Sequence, residues 1–454
     1  MNTIYLAIYF IFIIAMTVFV SKPQTKDDYL AGNRNIGTIQ MALSVSATWI
    51  WAPALFVSAE QSYINGYAGL FWFLVPNVLC LLLFIPFAIR IRNRMPRGFT
   101  LSELMGKTYG RRVKNIYVFQ LSALALLSTI VQLVAGGKII TTMTGIPFWF
   151  TSILLGAIAL VYSIGKGIKA SIFTDAIQMI LILGACFVLV PMAININGFD
   201  SIKEGLKGFN NDTTLFNENG IKLLLAFGIP TTIGLIAGPF GDQNFYQRIF
   251  SVKRNRIKHS MILGAIIFAT VPLMMGILGF MASSIGFVGE DQSIVNLELV
   301  NSILPSWSGI VFMFILLSGL LSTIDSNLNS ASSLMNDVKK NATMKHFKLA
   351  MVILTVVSIV LSNIPLTIID FFLIYGILRS TTFMTTILTL LNVRLHEKAV
   401  FYGVLASLIV GLPIFIYGKL ASNTLLVVVG SLSALLLSGI VAYTITKVKG
   451  DTFA

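Results

Sequence analysis

The sequence predicts an all-α integral membrane protein with thirteen transmembrane helices. Two observations support this prediction. First, 56% of the 454 residues are hydrophobic and 11% are charged, whereas soluble globular proteins carry about 25% charged residues. Second, the apolar residues fall into thirteen runs of roughly the length that a helix needs to cross the hydrocarbon core of a bilayer.

The thirteen runs are named α1 to α13 in chain order. The first has no basic region before it and no small-residue cleavage site, so it is interpreted as a span and not as a signal peptide. Both cysteines lie inside apolar runs, which indicates neither a disulfide framework nor a metal cluster. The runs lie at approximately 3–21, 38–61, 67–90, 115–142, 146–163, 168–194, 221–249, 258–286, 306–336, 344–364, 366–392, 398–418 and 424–446.

The basic residues predict the orientation of these spans. The net charge is +14, and 26 of the 32 lysines and arginines fall in alternate loops. Because cytoplasmic loops are enriched in Lys and Arg, the N-terminus is predicted outside and the C-terminus in the cytoplasm, in a cell membrane. The cytoplasmic position of the basic residues therefore explains the positive net charge, and nucleic-acid binding is not needed to explain it. The chain ends eight residues after α13, so no attached enzyme domain is expected.

Two of the predicted helices are interrupted. Pro53 removes a backbone donor within α2, and α7 contains Pro230 and the segment Gly238-Pro239-Phe240-Gly241. Each interruption alone is compatible with an ordinary kinked helix. Broken helices in matching positions of two halves, however, are the best sequence indication of a transporter binding site. These two lie five spans apart, at the first position of two five-helix units, and an odd number of spans requires the second unit to be inverted.

This arrangement predicts four parts of the chain. Residues 1–36 form a leading transmembrane helix and a cytoplasmic loop, and residues 37–195 form the first inverted repeat, α2 to α6. Residues 196–393 form the second repeat, α7 to α11, and residues 394–454 form two C-terminal transmembrane helices.

A polar face of α9 suggests a cation site. Gly319, Ser322 and Thr323 are spaced i, i+3 and i+4, so they share one side of the helix. They offer two hydroxyls and a carbonyl, which suit a weakly held Na+. The alternative is a small-residue packing face with hydroxyls bonded back to the helix. Asp325 lies further along α9, and a carboxylate within a span is a functional hypothesis by default.

A second carboxylate, Asp175, lies with Thr174 and Gln178 in the half of α6 predicted to face the cytoplasm. It is either functional or structural, in the latter case capping a neighbouring helix or pairing with Lys169.

Taken together, five segments resemble the sodium:solute symporter family. They are Asp28-Tyr-Leu-Ala-Gly-Asn-Arg-Asn, the broken α2, Gly167-Ile-Lys-Ala with Thr174-Asp175 and Gln178, Asp242-Gln with Gln247-Arg248, and Ser322-Thr-Ile-Asp-Ser. The resemblance implies a five-plus-five inverted repeat of the LeuT type over α2 to α11. It also implies a Na+ site formed by the carbonyls of Ala47, Ile50 and Gly319 and the hydroxyls of Ser322 and Thr323, with Asp175 near the path by which the ion leaves.

The solute site follows from the same resemblance. Asp242 and Gln243 fall where relatives use polar residues of the broken α7 to hold solute. The α2 segment around Thr48-Trp-Ile-Trp-Ala-Pro resembles the urea-permease branch. In this interpretation Trp51 and Phe56, with Trp49, supply walls, while Asn77, Asp242 and Gln243 supply hydrogen bonds. Each tryptophan equally fits a packing or lipid-facing role.

The resulting hypothesis is a Na+-coupled symporter that imports urea or a similar small neutral solute by alternating access, with Na+ as the coupling ion. Arg379, deep in α11, keeps a carboxylate substrate open as an alternative, beside an amino acid or a sugar. A different class, a solute sensor or a channel on the same scaffold, is also open. The expected partners are a small-molecule substrate, Na+ and the lipid bilayer, with no nucleic acid and no obligatory protein partner. No nucleophile–base pair or phosphate loop indicates an enzyme.

Overall fold

A computed structural model describes residues 3–209, 214–364 and 367–448, and within these ranges the chain is helical apart from loops and one isolated bridge between Ile36 and Val252. Ten of its helices are long and apolar enough to cross a membrane, and two shorter apolar helices, Ile4–Phe19 and Phe148–Ser163, accompany them. The predicted all-α membrane class is therefore confirmed, while the count of thirteen spans stays a prediction.

The helices follow the predicted runs closely, and the names α1 to α13 are kept for them. Interruptions divide α2, α7 and α11. In chain order the segments are Thr3–Met16 (α1), Thr38–Trp49 and Ala52–Leu55 (α2), Val57–Arg94 (the end of α2 and all of α3), Arg111–Thr144 (α4), Phe148–Ser163 (α5), Ile168–Asn197 (α6), Glu218–Ile236, Gly238–Gly241 and Gln243–Ser251 (α7), Ile257–Ser284 (α8), Ser306–Val338 (α9), Met344–Leu361 (α10), Ile368–Ser380 and Phe383–Leu390 (α11), Glu397–Leu420 (α12) and Thr424–Val448 (α13).

The boundary between α2 and α3 depends on one glycine. Gly66 has φ of +59° and ψ of −146° inside the helical stretch Val57–Arg94, a conformation that only glycine adopts at little cost. The next amide, of Tyr67, donates to the carbonyl of Leu206 at 2.9 Å instead of continuing its own helix. A Cβ at position 66 would lie 2.1 Å from that carbonyl oxygen, so both the turn and the close approach require glycine.

Four short helices that the hydropathy pattern did not predict lie between the spans, at Lys26–Ala31, Leu101–Tyr109, Asp200–Gly205 and Val295–Ile303. The first two are capped at their N-termini by threonine, because Thr25 accepts from the amide of Asp28 and Thr100 accepts from the amide of Glu103. All four helices are too short and too polar to be detected as apolar runs in the sequence.

Basic loops gather at one end of the bundle, called here the basic end. Arg34, after α1, donates to the carbonyls of Gly98, after α3, and of Phe250, in α7, at 2.9 and 3.4 Å. It also pairs with Asp27 at 2.7 Å. These contacts place the loops that follow α1, α3 and α7 together, as the alternation of charge predicts.

At the opposite end, an ion pair and a hydrogen bond hold the loop that follows α8. Lys138, which the sequence places within α4, pairs with Asp291 of the loop after α8 at 2.8 Å. Partial burial acts to raise the pKa of Asp291, but hydrogen bonds from Lys138 and Ser293 outweigh it and hold that pKa below its usual value. Tyr63 adds a hydrogen bond to the Phe287 carbonyl at 2.9 Å, so α2 contacts the same loop.

The centre of the bundle is α9. It packs against α4, α6, α10 and the broken α2, and its residues from Ile315 to Ser330 are buried. Because this stretch contains eight Ser, Thr, Asn and Asp side chains between Ser318 and Ser330, the most buried helix is also rich in polar groups. Buried polar groups need partners, and the partners define the site.

Candidate functional site

The first helical segment of α2 ends at Trp49. The amide of Ile50 still donates to the Ser46 carbonyl at 2.8 Å. Ile50 and Trp51 then leave helical geometry, with ψ of 80° and 179°. The next amide, of Ala52, donates to Oε1 of Gln132 in α4 at 2.8 Å, and Pro53 has no amide to offer. The carbonyls before the break are thereby left available for another partner.

The break of α7 lies at Asp242, whose φ of −99° and ψ of 121° are extended. It separates the short helix Gly238–Gly241 from Gln243–Ser251. A Cβ at Gly238 would lie 2.4 Å from Cη2 of Trp49, so the missing side chain allows the last residue of the first half of α2 to pack against α7. The two breaks predicted from prolines and glycines therefore adjoin one another in the interior.

The break of α2 also meets the polar face of α9. The Ile50 carbonyl oxygen lies 3.2 Å from the position that a Cβ at Gly319 would take. Thr323 donates from Oγ1 to the Gly319 carbonyl at 3.1 Å. Ala47 and Ser322 are both fully buried on the same two helices. The structure thus brings the helices carrying the five predicted Na+ ligands into contact, with Ile50, Gly319 and Thr323 adjoining; Na+ binding there stays a prediction.

Ser322 links this face to a buried ion pair. Its hydroxyl donates to Oδ1 of Asp175 at 2.5 Å. The other oxygen, Oδ2, accepts from Ser44 at 2.6 Å and from Nη2 of Arg248 at 2.7 Å. Arg248 also donates to Ser326 at 2.7 Å. Asp175 therefore joins α2, α6, α7 and α9, and its side chain and that of Arg248 are 0% and 1% exposed.

The half of α7 after the break is fastened to α9 by amide side chains. Asn244 donates to Oδ1 of Asn327 at 2.9 Å, and Gln247 donates to the Asn329 carbonyl at 2.8 Å. Gln243 donates to Ser333 at 3.0 Å. These partners and Ser326 follow one another along α9, so a row of hydrogen bonds joins the two helices towards the basic end.

A second buried ion pair lies at the break of α7. Asp242 accepts from Nη2 of Arg379, in α11, and from the hydroxyl of Tyr375 at 2.7 Å. The Arg379 guanidinium carbon lies 3.8 Å from the centre of the Tyr375 ring, and 5.0 and 5.2 Å from the rings of Trp49 and Trp51. Arg379 is 2% exposed. Asp242, Trp49 and Trp51 are thus brought to one place, together with two residues of α11.

The other predicted solute residues are distributed around this cluster. Asn77, in α3, is buried; it bonds through Nδ2 to the Phe73 carbonyl, and its own carbonyl accepts from Nε1 of Trp49 at 3.3 Å. Phe56 is buried between the short helix Ala52–Leu55 and the helix that begins at Val57. Gln243 points elsewhere, because its amide contacts Phe99, Leu101 and Ser333 towards the basic end. Its role as a solute ligand stays a prediction, and in this conformation its side chain is engaged away from Asp242.

Sequence reasoning missed several members of these clusters. Because Arg248 lies at the end of an apolar run, the sequence pattern groups it with the basic residues of the following loop. In the structure it is buried instead. Ser44 and Tyr375 carry no motif of their own. Ser44 lies one turn before Thr48 on α2, and Tyr375 lies one turn before Arg379 on α11, so i, i+4 neighbours of the suspected residues were the available signal.

The chain is similar to known transporters in both sequence and fold. A family model described as the sodium:solute symporter family matches residues 29–411. A sodium/pantothenate symporter of Haemophilus influenzae is 26% identical over 349 residues, which are 72% of this chain and 70% of that protein. The urea active transporter of Saccharomyces cerevisiae is 23% identical over 265 residues, 56% of this chain but 36% of that transporter. A urea-proton symporter of Oryza sativa is 18% identical, with 63% and 43% covered.

The folds agree over nearly the whole chain. A Na+-coupled sialic acid symporter superposes with a TM-score of 0.79 at 18% identity, covering 98% of this chain and 97% of that one. A nucleobase-cation-symport-1 family transporter superposes with a TM-score of 0.60 at 18% identity, covering 95% and 97%. This confirms the predicted LeuT-type core with its five-plus-five inverted repeat; the residue boundaries assigned to the repeats stay predictions. With residues 29–411 matched, the chain belongs to the sodium:solute symporter family, a family of multi-pass membrane transporters and not of enzymes.

Proposed function

We propose that this protein imports a small polar organic solute, urea or a similar small neutral molecule, together with Na+ across the cell membrane. Na+ binds to the carbonyls of Ala47, Ile50 and Gly319 and the hydroxyls of Ser322 and Thr323. The solute binds beside the break of α7. Alternating access then moves both to the basic end, which faces the cytoplasm, with the N-terminus outside.

The observation that carries the proposal is the meeting of two broken helices with α9 in the interior. Unwound backbone in a transporter supplies carbonyls for the coupling ion and frees side chains for the solute. Here the Ile50 carbonyl adjoins Gly319, and Asp242 pairs with Arg379, whose guanidinium lies beside the ring of Trp51. The ion ligands are neutral oxygens, which suit a monovalent cation that must also be released.

The cluster around Asp175 fits a role in releasing the ion. Because Ser322 donates its one hydroxyl hydrogen to Asp175, its lone pairs remain available to Na+. A movement of α7 that draws Arg248 away from Asp175 would leave that carboxylate uncompensated beside Ser322. We infer that the departing Na+ then passes Asp175 towards the cytoplasm.

Concentrative uptake in proteoliposomes tests the proposal. An inward Na+ gradient should drive labelled urea, or another solute of a panel of amides, amino acids, sugars and monocarboxylates, above its external concentration. A channel cannot do this, and a sensor does not transport. Since one relative is named a urea-proton symporter, a pH gradient without Na+ is the matched comparison. Uptake driven by protons alone would contradict Na+ coupling while leaving symport intact.

A further inference from the structure

We propose that Arg379 selects the solute, and that Asp242, by neutralising it, restricts the selection to uncharged carbonyl compounds and rejects carboxylates. This inference rests on the proposed function, because it takes the cluster at the break of α7 as the solute site. The group of the solute that is recognised is a carbonyl, and the pair Arg379–Asp242 sets the net charge of the site.

The first step is the hydrogen-bonding capacity left over in the cluster. Arg379 uses Nη2 for Asp242, while Nε and Nη1 have no partner among the described residues. Nε1 of Trp51, whose ring lies 5.2 Å from the guanidinium carbon, also has none there. Buried donors are ordinarily satisfied, so unsatisfied N–H groups on two adjoining side chains indicate a ligand that brings an acceptor.

The second step is the chemistry of the side chains around the guanidinium. The rings of Trp51 and Tyr375 have centres 4.9 Å apart, and those of Trp51 and Phe372 are 5.6 Å apart. Tyr375 also fixes Asp242 through its hydroxyl. Aromatic faces beside a guanidinium edge favour a flat group, such as an amide or a urea, whose oxygen accepts from Arg379 while its plane contacts the rings. Asn77, whose backbone carbonyl accepts from Nε1 of Trp49, has an Oδ1 with no partner among the described residues and is the candidate acceptor for the N–H groups of such a ligand.

The third step is charge. Asp242 and Arg379 carry opposite charges and are 6% and 2% exposed, so they form a buried pair with no net charge. A carboxylate would add a second anion to one cation away from water, and an uncompensated buried charge is costly. A neutral carbonyl accepts the same hydrogen bonds without that cost. The pair therefore provides guanidinium donors while excluding the anions that a lone arginine attracts.

The test compares neutral probes with their carboxylate isosteres on purified full-length protein in Na+. Affinities for urea, acetamide, propionamide, acetate and propionate are obtained from ligand-induced thermal shifts. We expect the wild type to bind each amide at least about tenfold more tightly than its carboxylate. Asp242→Asn should invert this preference, because the guanidinium is then unpaired. Tyr375→Phe, which removes a hydrogen bond to Asp242 but no charge, should weaken the binding of amides and carboxylates alike while the amide stays the preferred ligand.

A charge-neutral double variant guards against a single variant that does not fold. Arg379→Gln combined with Asp242→Asn should bind amides at least about tenfold more weakly than the wild type and should show no preference for carboxylates. A wild type that prefers carboxylates or binds no neutral probe overturns the inference, as does a folded Asp242→Asn protein with unchanged preference. Sodium-driven uptake by the same protein separates the two proposals, because its loss contradicts sodium symport while the amide-to-carboxylate ratio tests only Arg379 and Asp242.

Discussion

Asp175 and Arg248 form an ion pair at 2.7 Å in which neither side chain is more than 1% exposed. The pair connects α6 to the half of α7 that follows the break, and Ser44 of α2 bonds to both members. Removing one partner of a buried pair strands the other charge, whereas removing both together is far less costly.

Arg248→Gln and Asp175→Asn are therefore each expected to lower the free energy of unfolding by about 3–5 kcal/mol. The double variant should recover most of that loss, because no buried charge is left uncompensated. Thermal unfolding of the four proteins in one detergent measures the coupling. If the loss of stability in the double variant equalled the sum of the two single losses, the two side chains would act independently.

Asp175→Asn is also expected to slow transport more than it weakens solute binding, since Asp175 lies away from the Asp242 cluster. Uptake at saturating solute and equilibrium solute affinity at saturating Na+ are measured on the same preparation. A tenfold loss of affinity with an unchanged maximal rate would contradict a role for Asp175 in ion release.

Ser322→Ala and Thr323→Ala should each raise the Na+ concentration that gives half-maximal uptake, and the double variant should be nearly inactive. Each change removes one of the five proposed neutral oxygen ligands of a weakly held ion. Ser332→Ala is the matched control, because Ser332 is a buried hydroxyl of α9 that bonds instead to the Phe347 carbonyl. Sodium titrations in which the control shifts as far as Ser322→Ala would argue against the site.

Gly319→Ala does not serve as a silent control for this site. A methyl group at that position would lie 3.0 Å from Cδ1 of Leu55 and 3.2 Å from the Ile50 carbonyl oxygen. It would preserve the Gly319 carbonyl and still press on a second proposed ligand, so an effect on Na+ binding is expected from crowding alone.

Gly66→Ala is expected to destabilise the protein by at least about 1–3 kcal/mol, the usual cost of a strained backbone conformation, with the clash against Leu206 added. Gly184→Ala provides the comparison, since Gly184 lies within α6 with no atom near its would-be Cβ. That change should be neutral or slightly stabilising. Melting temperatures of the two variants test the difference, and a Gly66→Ala protein as stable as wild type would contradict the required turn.

Hydropathy and the distribution of basic residues were sufficient to predict the helical membrane fold, because a span must be apolar over its length. The two breaks were predictable for a similar reason, since Pro53 and the Gly238-Pro239 segment act locally on the backbone. The partners of buried charges were not. Arg379 is visible in the sequence as a cation deep in α11, yet its partner Asp242 is 137 residues away, and no local pattern connects them. Gln243 follows Asp242 directly, but the change of backbone direction at the break sends the two side chains to different places.

The attachments of α2 have a mechanical consequence. Its first half is held through Ser44 to Asp175 and Arg248, whereas its second half is held at the Ala52 amide by Gln132 of α4. The two pieces are thus anchored to different neighbours, and the non-helical residues Ile50 and Trp51 between them act as a hinge. A shift of α7 can pull the first piece as a lever while Gln132 keeps the second in place. The proposed Na+ ligand at Ile50 lies within this hinge, so bending that opens one end of the bundle would also change the geometry of the proposed ion site.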